Sequence, residues 1–406
     1  MIQLLDLILY YKLHLFSLFF IYVWVFFLIK LYFAQKYKPY REAYTASVSI
    51  VIPEYKEPQA ALKRVLESIR SNSESLEEVI IAIDSRDEKN LQFLRNYEKS
   101  FSKLHAIVVN QKGKRAAEAV GIKKAKGEIV VIMDSDTILA NSNTIAELIK
   151  PFKDPWVGGV TPAQRISMNP HNDLKKRFSD WMENMRCTLS FPAMSVKGVV
   201  GCLPGRCIAF RKENILPYID TELLNERFRG VRCETGDDRC LTNIALRHGF
   251  KTVYQSTAKV LTDVPKSWRL YIKQQLRWIR STRRETVANL KWMLKKPFIL
   301  PLIFLSDIFI PVFFAITVLN MVLNMVFAYD FTIVAQGTIL QASLGALLAG
   351  ALGAVVSIGL RQTPHLRTNW KEVTILPLYV LWGTFILTPL CIYGLFTMKS
   401  QKWMTR

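Results

Sequence analysis

Val130-Val131-Ile132-Met133-Asp134-Ser135-Asp136 is the stretch on which the fold turns. Four apolar, mostly β-branched residues read as a strand buried on both faces, with two carboxylates at its end. Positions i and i+2 of an extended chain point the same way, so Asp134 and Asp136 converge. Two hard oxygen donors at a strand end suit Mg2+ or Mn2+ completed by phosphate oxygens. Met alone, the same pattern is also a turn or a helix cap. Its place at a strand end favours the metal reading.

Three more β-branched runs precede and flank this one: Val48–Pro53, Val79–Asp84 and His105–Asn110, with the quoted strand itself beginning near Glu128. Helix-like stretches, Gln59–Arg70 and Lys114–Lys126, lie between them. Such alternation predicts an α/β domain with a parallel sheet and helices on both faces. Ligands of these sheets sit at the C-terminal strand ends. Those ends carry Glu54 to Glu57, Asp84, Lys112 to Arg115, and Asp134 with Asp136.

Further along, Gly236-Asp237-Asp238-Arg239 precedes an apolar helix that ends at Gly249. Adjacent carboxylates repel, which raises one of them toward the working range of a general base; an N-cap cluster is the plain alternative. Gln274, Arg277 and Trp278 share one helical face, offering a guanidinium fork to a phosphate and a flat ring to a sugar. The same pair also suits a membrane interface. In Gly201-Cys202-Leu203-Pro204-Gly205-Arg206, two glycines permit close approach of a ligand. Lys112-Gly113-Lys114-Arg115 is a basic turn at a helix start and suits a phosphate.

The chain has 406 residues, 50% of them hydrophobic, and a net charge of +21. The apolar fraction excludes intrinsic disorder, and the charge calls for an acidic partner. Nucleic-acid binding needs a soluble basic face with stacking aromatics, whereas the aromatics here sit mostly in apolar runs. The six cysteines include no CxxC pair and the five histidines show no ligand spacing, which argues against zinc. Leu13–Ala34 is long enough for a membrane anchor. Pro297–Tyr329 contains one charge, Asp307, which is expected to face a cavity or a neighbouring helix. Phe331–Leu360 contains none, and its Ala346/Gly350 and Ala349/Gly353 pairs suit close helix packing. Val373–Met398 holds Pro377 and Pro389 and is basic on both flanks, so a broken or re-entrant segment is expected, with a simple crossing as the alternative. The segment 263–296 is basic and amphipathic, starts with Asp263 and Pro265, and reads as helix lying on the membrane surface. The expected divisions are 1–44 anchor, 45–262 cytosolic domain, 263–296 amphipathic interface helices, 297–398 transmembrane or re-entrant region, and 399–406.

Taken in order, Val51-Ile52-Pro53, Gly113-Lys114-Arg115, Asp134-Ser135-Asp136, Gly236-Asp237-Asp238-Arg239, Gln274-Gln275-Leu276-Arg277-Trp278 and Trp403-Met404-Thr405-Arg406 resemble the processive family 2 glycosyltransferases of membranes, in the hyaluronan synthase and chitin-oligosaccharide synthase group. Ala193–Val196, Val200–Arg206, Ile208–Arg211 and Thr262–Trp268 are similar to streptococcal type 3 capsular polysaccharide synthases. The resemblance implies a GT-A type Rossmann-like cytosolic domain inserted between transmembrane helices of a multi-pass cell-membrane protein. It implies UDP-glucose and UDP-glucuronic acid as donors, Mn2+ or Mg2+ as cofactor, and a growing polysaccharide and membrane lipid as partners. The alternatives are a hyaluronan synthase, a homopolymer synthase or a non-processive lipid-linked transferase. By the same resemblance, Asp84, Glu57 and Lys114 line the uridine pocket, with Arg115 and Gln274 on the donor side. Asp134 faces the nucleotide and Asp136 the metal. Asp238 is the base, supported by Asp237. Arg277 holds the diphosphate, while Trp278 and Cys202, Leu203, Pro204, Gly205 and Arg206 hold the acceptor sugar. Trp403, Thr405 and Arg406 gate the donor. Two positions depart from the family: Ala82-Ile83-Asp84-Ser85 carries one carboxylate where two are usual, and Met404 stands where glycine is usual.

Overall fold

The computed structural model describes residues 2–167, 173–327, 352–360, 362–368 and 370–401. Trp403, Thr405, Arg406, Ala346, Ala349 and Gly350 lie outside the described residues. Two compact units emerge, one of residues 33–301 with 397–406, the other of residues 1–32 with 302–396.

In the first unit the strands are β1 Val48–Glu54, β2 Glu78–Asp84, β3 Leu104–Val109, β4 Ile129–Met133, β5 Ile138–Leu139, β6 Val157–Ile166, β7 Cys207–Arg211, β8 Arg227–Phe228, β9 Val231–Arg232 and β10 Lys251–Thr262. Eight of them form one sheet in the order β3-β2-β1-β4-β7-β6-β10-β5, and β8 with β9 form a separate hairpin. The first four are parallel to one another. Every residue of β1 is buried, as a strand covered on both faces requires. The helix Gln59–Arg70 presents Leu62, Val65, Leu66 and Ile69, an i, i+3, i+4, i+7 stripe, to the core with Ile50, Ile52 and Val131.

Beyond β4 the expected all-parallel sheet gives way to a mixed one. β7 runs antiparallel to both β4 and β6, and β5 runs antiparallel to β10. Reversal at β7 turns the Gly201–Arg206 loop toward the C-terminal end of β4, where the Arg206 carbonyl accepts from the Asp134 N–H at 3.1 Å.

The 263–296 segment is one helix, Trp268–Met293, and its cap is Ser267, whose hydroxyl accepts from the Leu270 N–H at 3.3 Å, not Asp263 or Pro265. One face of this helix, with Tyr271, Gln275, Arg280, Arg283, Arg284 and Glu285, is buried in the first unit. Arg284 meets Glu285 and the Thr235 carbonyl there, and Arg280 the Thr397 and Ser400 hydroxyls, as buried charges must.

In the second unit, Tyr22 and Ser306 share a hydrogen bond of 2.7 Å, and Phe19 packs edge-on against Phe313 at 5.4 Å. A Cβ on Gly353 would stand 2.6 Å from Phe20, so close helix packing does rest on this glycine. The helix Ile299–Phe327 contains Pro311, which cannot donate to the Asp307 carbonyl, and Asp307 itself is exposed. From Trp370 to Phe396 the chain is helical throughout, with a π turn at Gly383–Leu387. Pro389 removes the N–H that would bond Phe385, which accounts for the irregular turn. Among the described residues, Leu18–Gln35, Ile299–Asn320 and Trp370–Phe396 are long and apolar enough to cross a membrane.

Candidate active site

Parallel β1, β2 and β4 deliver Glu54, Asp84 and Asp134 to one edge of the sheet. Gly113 takes φ +107°, a turn open to glycine, and starts the helix Lys114–Lys124. Lys114 opens that helix and joins the acidic motifs. Its Nζ lies 2.8 Å from Asp134 Oδ1, 2.8 Å from Asp237 Oδ2 and 3.5 Å from Glu118 Oε1. Burial works against its charge, but the three carboxylates outweigh it and hold the ammonium pKa well above the ordinary range.

Asp136 is open to the cleft, although protein crowds round its carboxyl. That desolvation and the Asp134 charge push its pKa up to about 6, with Arg206 and Lys114 opposing; contact with water in the cleft moderates the rise. Among the described residues no three His, Cys, Asp or Glu side chains cluster as a metal cage. Asp134 and Asp136 at the end of β4 could hold a hard divalent cation that keeps waters and takes phosphate oxygens.

Asp237 and Asp238 open the helix Asp237–Arg247 after Gly236, at φ +78°. Asp237 is buried; burial alone would raise it, but Lys114 and a hydrogen bond from Glu118 hold it well below the usual carboxylate range. Glu118 is pushed well up by burial and by Asp237, with Lys114 opposing. Asp238 is half-buried and raised by its surroundings and by Asp237. Its oxygens accept from the Arg239 N–H at 2.7 Å and the Gly205 N–H at 3.2 Å. One carboxylate is thus locked in its ionised form, and its neighbour has gained proton affinity, the division of labour an acid–base site needs.

The loop carrying Cys202, Leu203, Pro204 and Gly205 covers this pair. A Cβ at Gly205 would meet Lys114 Nζ at 3.1 Å and Asp238 Cβ at 3.4 Å. The Leu203 N–H donates to Thr242 Oγ1 at 3.1 Å, fixing the loop to the Asp237–Arg247 helix. The Cys202 thiol is pushed up to about 12 by burial and Asp238, so it stays neutral. On the Trp268–Met293 helix, Arg277 feels Asp237, Asp134, Asp238 and Asp136 together, against a burial that lowers its pKa. Gln274 and Trp278 are partly exposed on the same helix.

Arg206 is buried, 2.7 Å from Glu183 and 3.2 Å from Gln164 Oε1, and lies 5.4 Å over the Trp278 ring. Arg115 is also buried, paired with Glu226 at 2.7 Å and donating to the Leu223 and Thr235 carbonyls at 2.8 Å each. Both are struts, held by carboxylates that a charge needs once it leaves water. Asp84 is gripped by Arg86 at 2.7 and 2.5 Å, which lowers its pKa, and Arg86 in turn lies 4.9 Å over Tyr55. Glu57 stands at the end of β1, its carbonyl held by Asn90 at 2.9 Å. Residues the motifs did not reveal are Glu118, Glu183, Arg284 and Gln401. Only Glu118 left a sequence signal, its i+4 spacing from Lys114.

Residues 46–281 match the family described as Glycosyltransferase like family 2. The hyaluronan synthase of Streptococcus pyogenes is 30% identical over 390 residues, which cover 93% of this chain and 88% of that one. An N-acetylglucosaminyltransferase of Azorhizobium caulinodans is 28% identical over 380 residues, 89% of this chain and 88% of that one. The mannosyltransferase of Pyrobaculum calidifontis, solved with GDP-Man and Mn2+, has a TM-score of 0.60 at 18% identity and covers 91% of this chain and 99% of that one. This likeness shows the GT-A type fold. With the apolar helices on either side of the domain in the sequence, the protein is membrane-associated.

Proposed function

Since this chain belongs to glycosyltransferase family 2 and is related to hyaluronan synthase along nearly its whole length, we propose that it is a processive, inverting synthase that joins UDP-sugars into a β-linked polysaccharide and passes it across the cell membrane, with the catalytic domain in the cytosol. The observation that carries this reading is Lys114, whose single ammonium touches both Asp134 of the donor motif and Asp237 beside the base. Donor diphosphate and acceptor hydroxyl thereby have seats within one side chain's reach.

In this reading the acceptor oxygen attacks the anomeric carbon in line with the leaving UDP. The new bond is oxygen to C1, the broken bond is C1 to the phosphate oxygen, and the proton goes to Asp238. A single in-line displacement turns an α-linked donor into a β-linked product. Asp134 and Asp136 would hold a divalent cation, Mn2+ or Mg2+, which when bound offsets charge on the diphosphate. Arg277 supplies fixed positive charge on the same side. Trp278 and the Cys202–Gly205 loop shape the acceptor seat. Trp403, Thr405 and Arg406 follow Gln401, which is anchored close to Asp237 and Asp238 through Thr235, and they would close over the donor.

The donors we propose are UDP-glucose and UDP-glucuronic acid, supported by the Ala193–Val196, Val200–Arg206 and Ile208–Arg211 stretches. A second reading, UDP-N-acetylglucosamine with UDP-glucuronic acid, is favoured by the Streptococcus pyogenes relative. The test uses purified protein in vesicles with Mn2+ or Mg2+ and these three donors, singly and in pairs, with the product sized. Long polymer only from UDP-glucose plus UDP-glucuronic acid supports the first reading. Long polymer only from UDP-N-acetylglucosamine plus UDP-glucuronic acid supports the second. Single-sugar products would overturn processivity.

A further inference from the structure

The segment Thr397–Gln401 is tied to the Trp268–Met293 helix by two arginines. Arg280 Nε donates to Thr397 Oγ1 at 2.9 Å, and its terminal nitrogen reaches Ser400 Oγ at 3.4 Å. One helical turn on, Arg284 donates to Gln401 Oε1 at 3.0 Å and to the Thr235 carbonyl at 2.5 Å. The same Gln401 oxygen accepts from the Glu234 N–H at 3.1 Å and the Thr235 hydroxyl at 3.4 Å. Thr235 lies three positions before Asp238. Between them, Gly236 is pressed on the same helix: a Cβ there would fall 2.2 Å from Ser281 Oγ and 2.9 Å from the Arg284 guanidinium.

One amide oxygen therefore bonds the main chain that carries the base, and a buried guanidinium bonds both. Charge-assisted hydrogen bonds are the stronger kind, and here they fix Thr235, while Ser281 and Arg284 close in on Gly236. Asp238 follows that pinned backbone by two residues, and its carboxyl is then received by the Arg239 N–H and by the Gly205 N–H of the facing loop, so a shift at 234–236 moves it off both.

We propose that Gln401 is a positioning residue: by bonding Glu234 and Thr235 it aims Asp238, so the base is competent only while Thr397–Gln401 occupies its seat. This rests on the glycosyltransferase reading of the site. Removing the Gln401 side chain leaves Arg280 holding Thr397 and Ser400, so the chain leading to Trp403, Thr405 and Arg406 keeps its anchor, and the chemical step slows more than donor binding weakens.

The full-length protein in vesicles is compared as wild type, Gln401→Ala and Gln401→Glu; glutamate keeps the acceptor oxygen that Arg284 and Glu234 use. Sugar transfer gives kcat and KM, and hydrogen exchange reads the amides of residues 233–238. Gln401→Ala is expected to lower kcat about tenfold or more with KM for the nucleotide sugar within about twofold, because small misplacement of a reacting group is costly. Exchange of residues 233–238 should quicken in Gln401→Ala, and Gln401→Glu should restore kcat to within about threefold of wild type. Unchanged kcat, unchanged exchange in 233–238, or a glutamate variant as slow as the alanine one would each overturn the proposal. A wild type that transfers no sugar from any nucleotide donor would count against the enzymatic reading instead, and the exchange comparison would then decide the seat by itself.

Discussion

The two halves of the sheet are built on different principles. In β3-β2-β1-β4 the interior is Val, Ile, Leu and Ala, and polar groups appear only where strands end. In β7-β6-β10 the interior is mixed: Val160, Ala209, Val253 and Val260 continue the same core, but Thr161, Gln164, Thr252 and Gln255 are fully buried beside them, and the Arg206–Glu183 pair lies against them through Gln164. Apolar packing is non-directional and tolerates exchange of similar volumes. A buried polar network is directional, and one missing partner leaves another group stranded in low dielectric. The β3-β2-β1-β4 half is thus a robust shelf and the β7-β6-β10 half a precise one.

The largest expected effect tests the chemistry at the seam. Asp238→Asn should slow transfer by about 10³-fold, within the span general bases contribute, and leave folding and nucleotide-sugar affinity intact; retention of more than a tenth of the activity would remove Asp238 from its role. Its raised pKa also puts the acid limb of the rate profile above the ordinary carboxylate range, with activity rising as pH rises through it. The two halves then differ in what an ion pair is worth. Glu183→Ala leaves Arg206 buried and uncompensated, and should cost about 3–5 kcal/mol in unfolding free energy. Asp84→Ala breaks a pair whose arginine is 46% exposed, and should cost no more than about 1 kcal/mol while weakening donor binding. Equal losses in thermal unfolding would end the distinction.

Another effect is visible through pH. Burial and Glu226 raise Glu285 from 4.5 to about 7. Between those values the folded state holds a proton that the unfolded chain has released. Its stabilisation is complete below 4.5 and is lost as pH climbs through about 7, by roughly 3 kcal/mol at the outer limit. Glu285→Gln should flatten that decline in a melting series. The smallest effect belongs to the exposed pair Lys63–Glu67 on the β3-β2-β1-β4 half, where Lys63→Ala should change stability by less than about 0.5 kcal/mol.

The same contrast explains what was legible in the sequence. Val48–Glu54 and Gln59–Arg70 were visible because strands covered on both faces and amphipathic helices write their burial into composition. β6, with Gly158, Gly159 and Pro162 in its middle, and β10, with Lys, Thr and Gln along it, show no such period, since their neighbours satisfy polar groups by hydrogen bonds. Asp134 and Asp238 stood out as paired carboxylates next to structural breaks. Arg115 and Arg206 stood out equally, and only the tertiary fold gives them Glu226 and Glu183 as partners. Gln401 carried no local signal at all, because its value comes from Arg284, 117 positions earlier.

Pro311 leaves a different legacy. A span normally hides every backbone dipole within its own helix. Here the Asp307 carbonyl loses its usual donor, and the exposed Asp307 carboxylate stands on the same residue. Hydrocarbon is a poor solvent for either group. That turn therefore creates a local demand for water or a donor at a fixed depth, and it makes the helix softest to bending where it is also most polar. A membrane-crossing helix with such a built-in wet joint would yield there first under lateral strain.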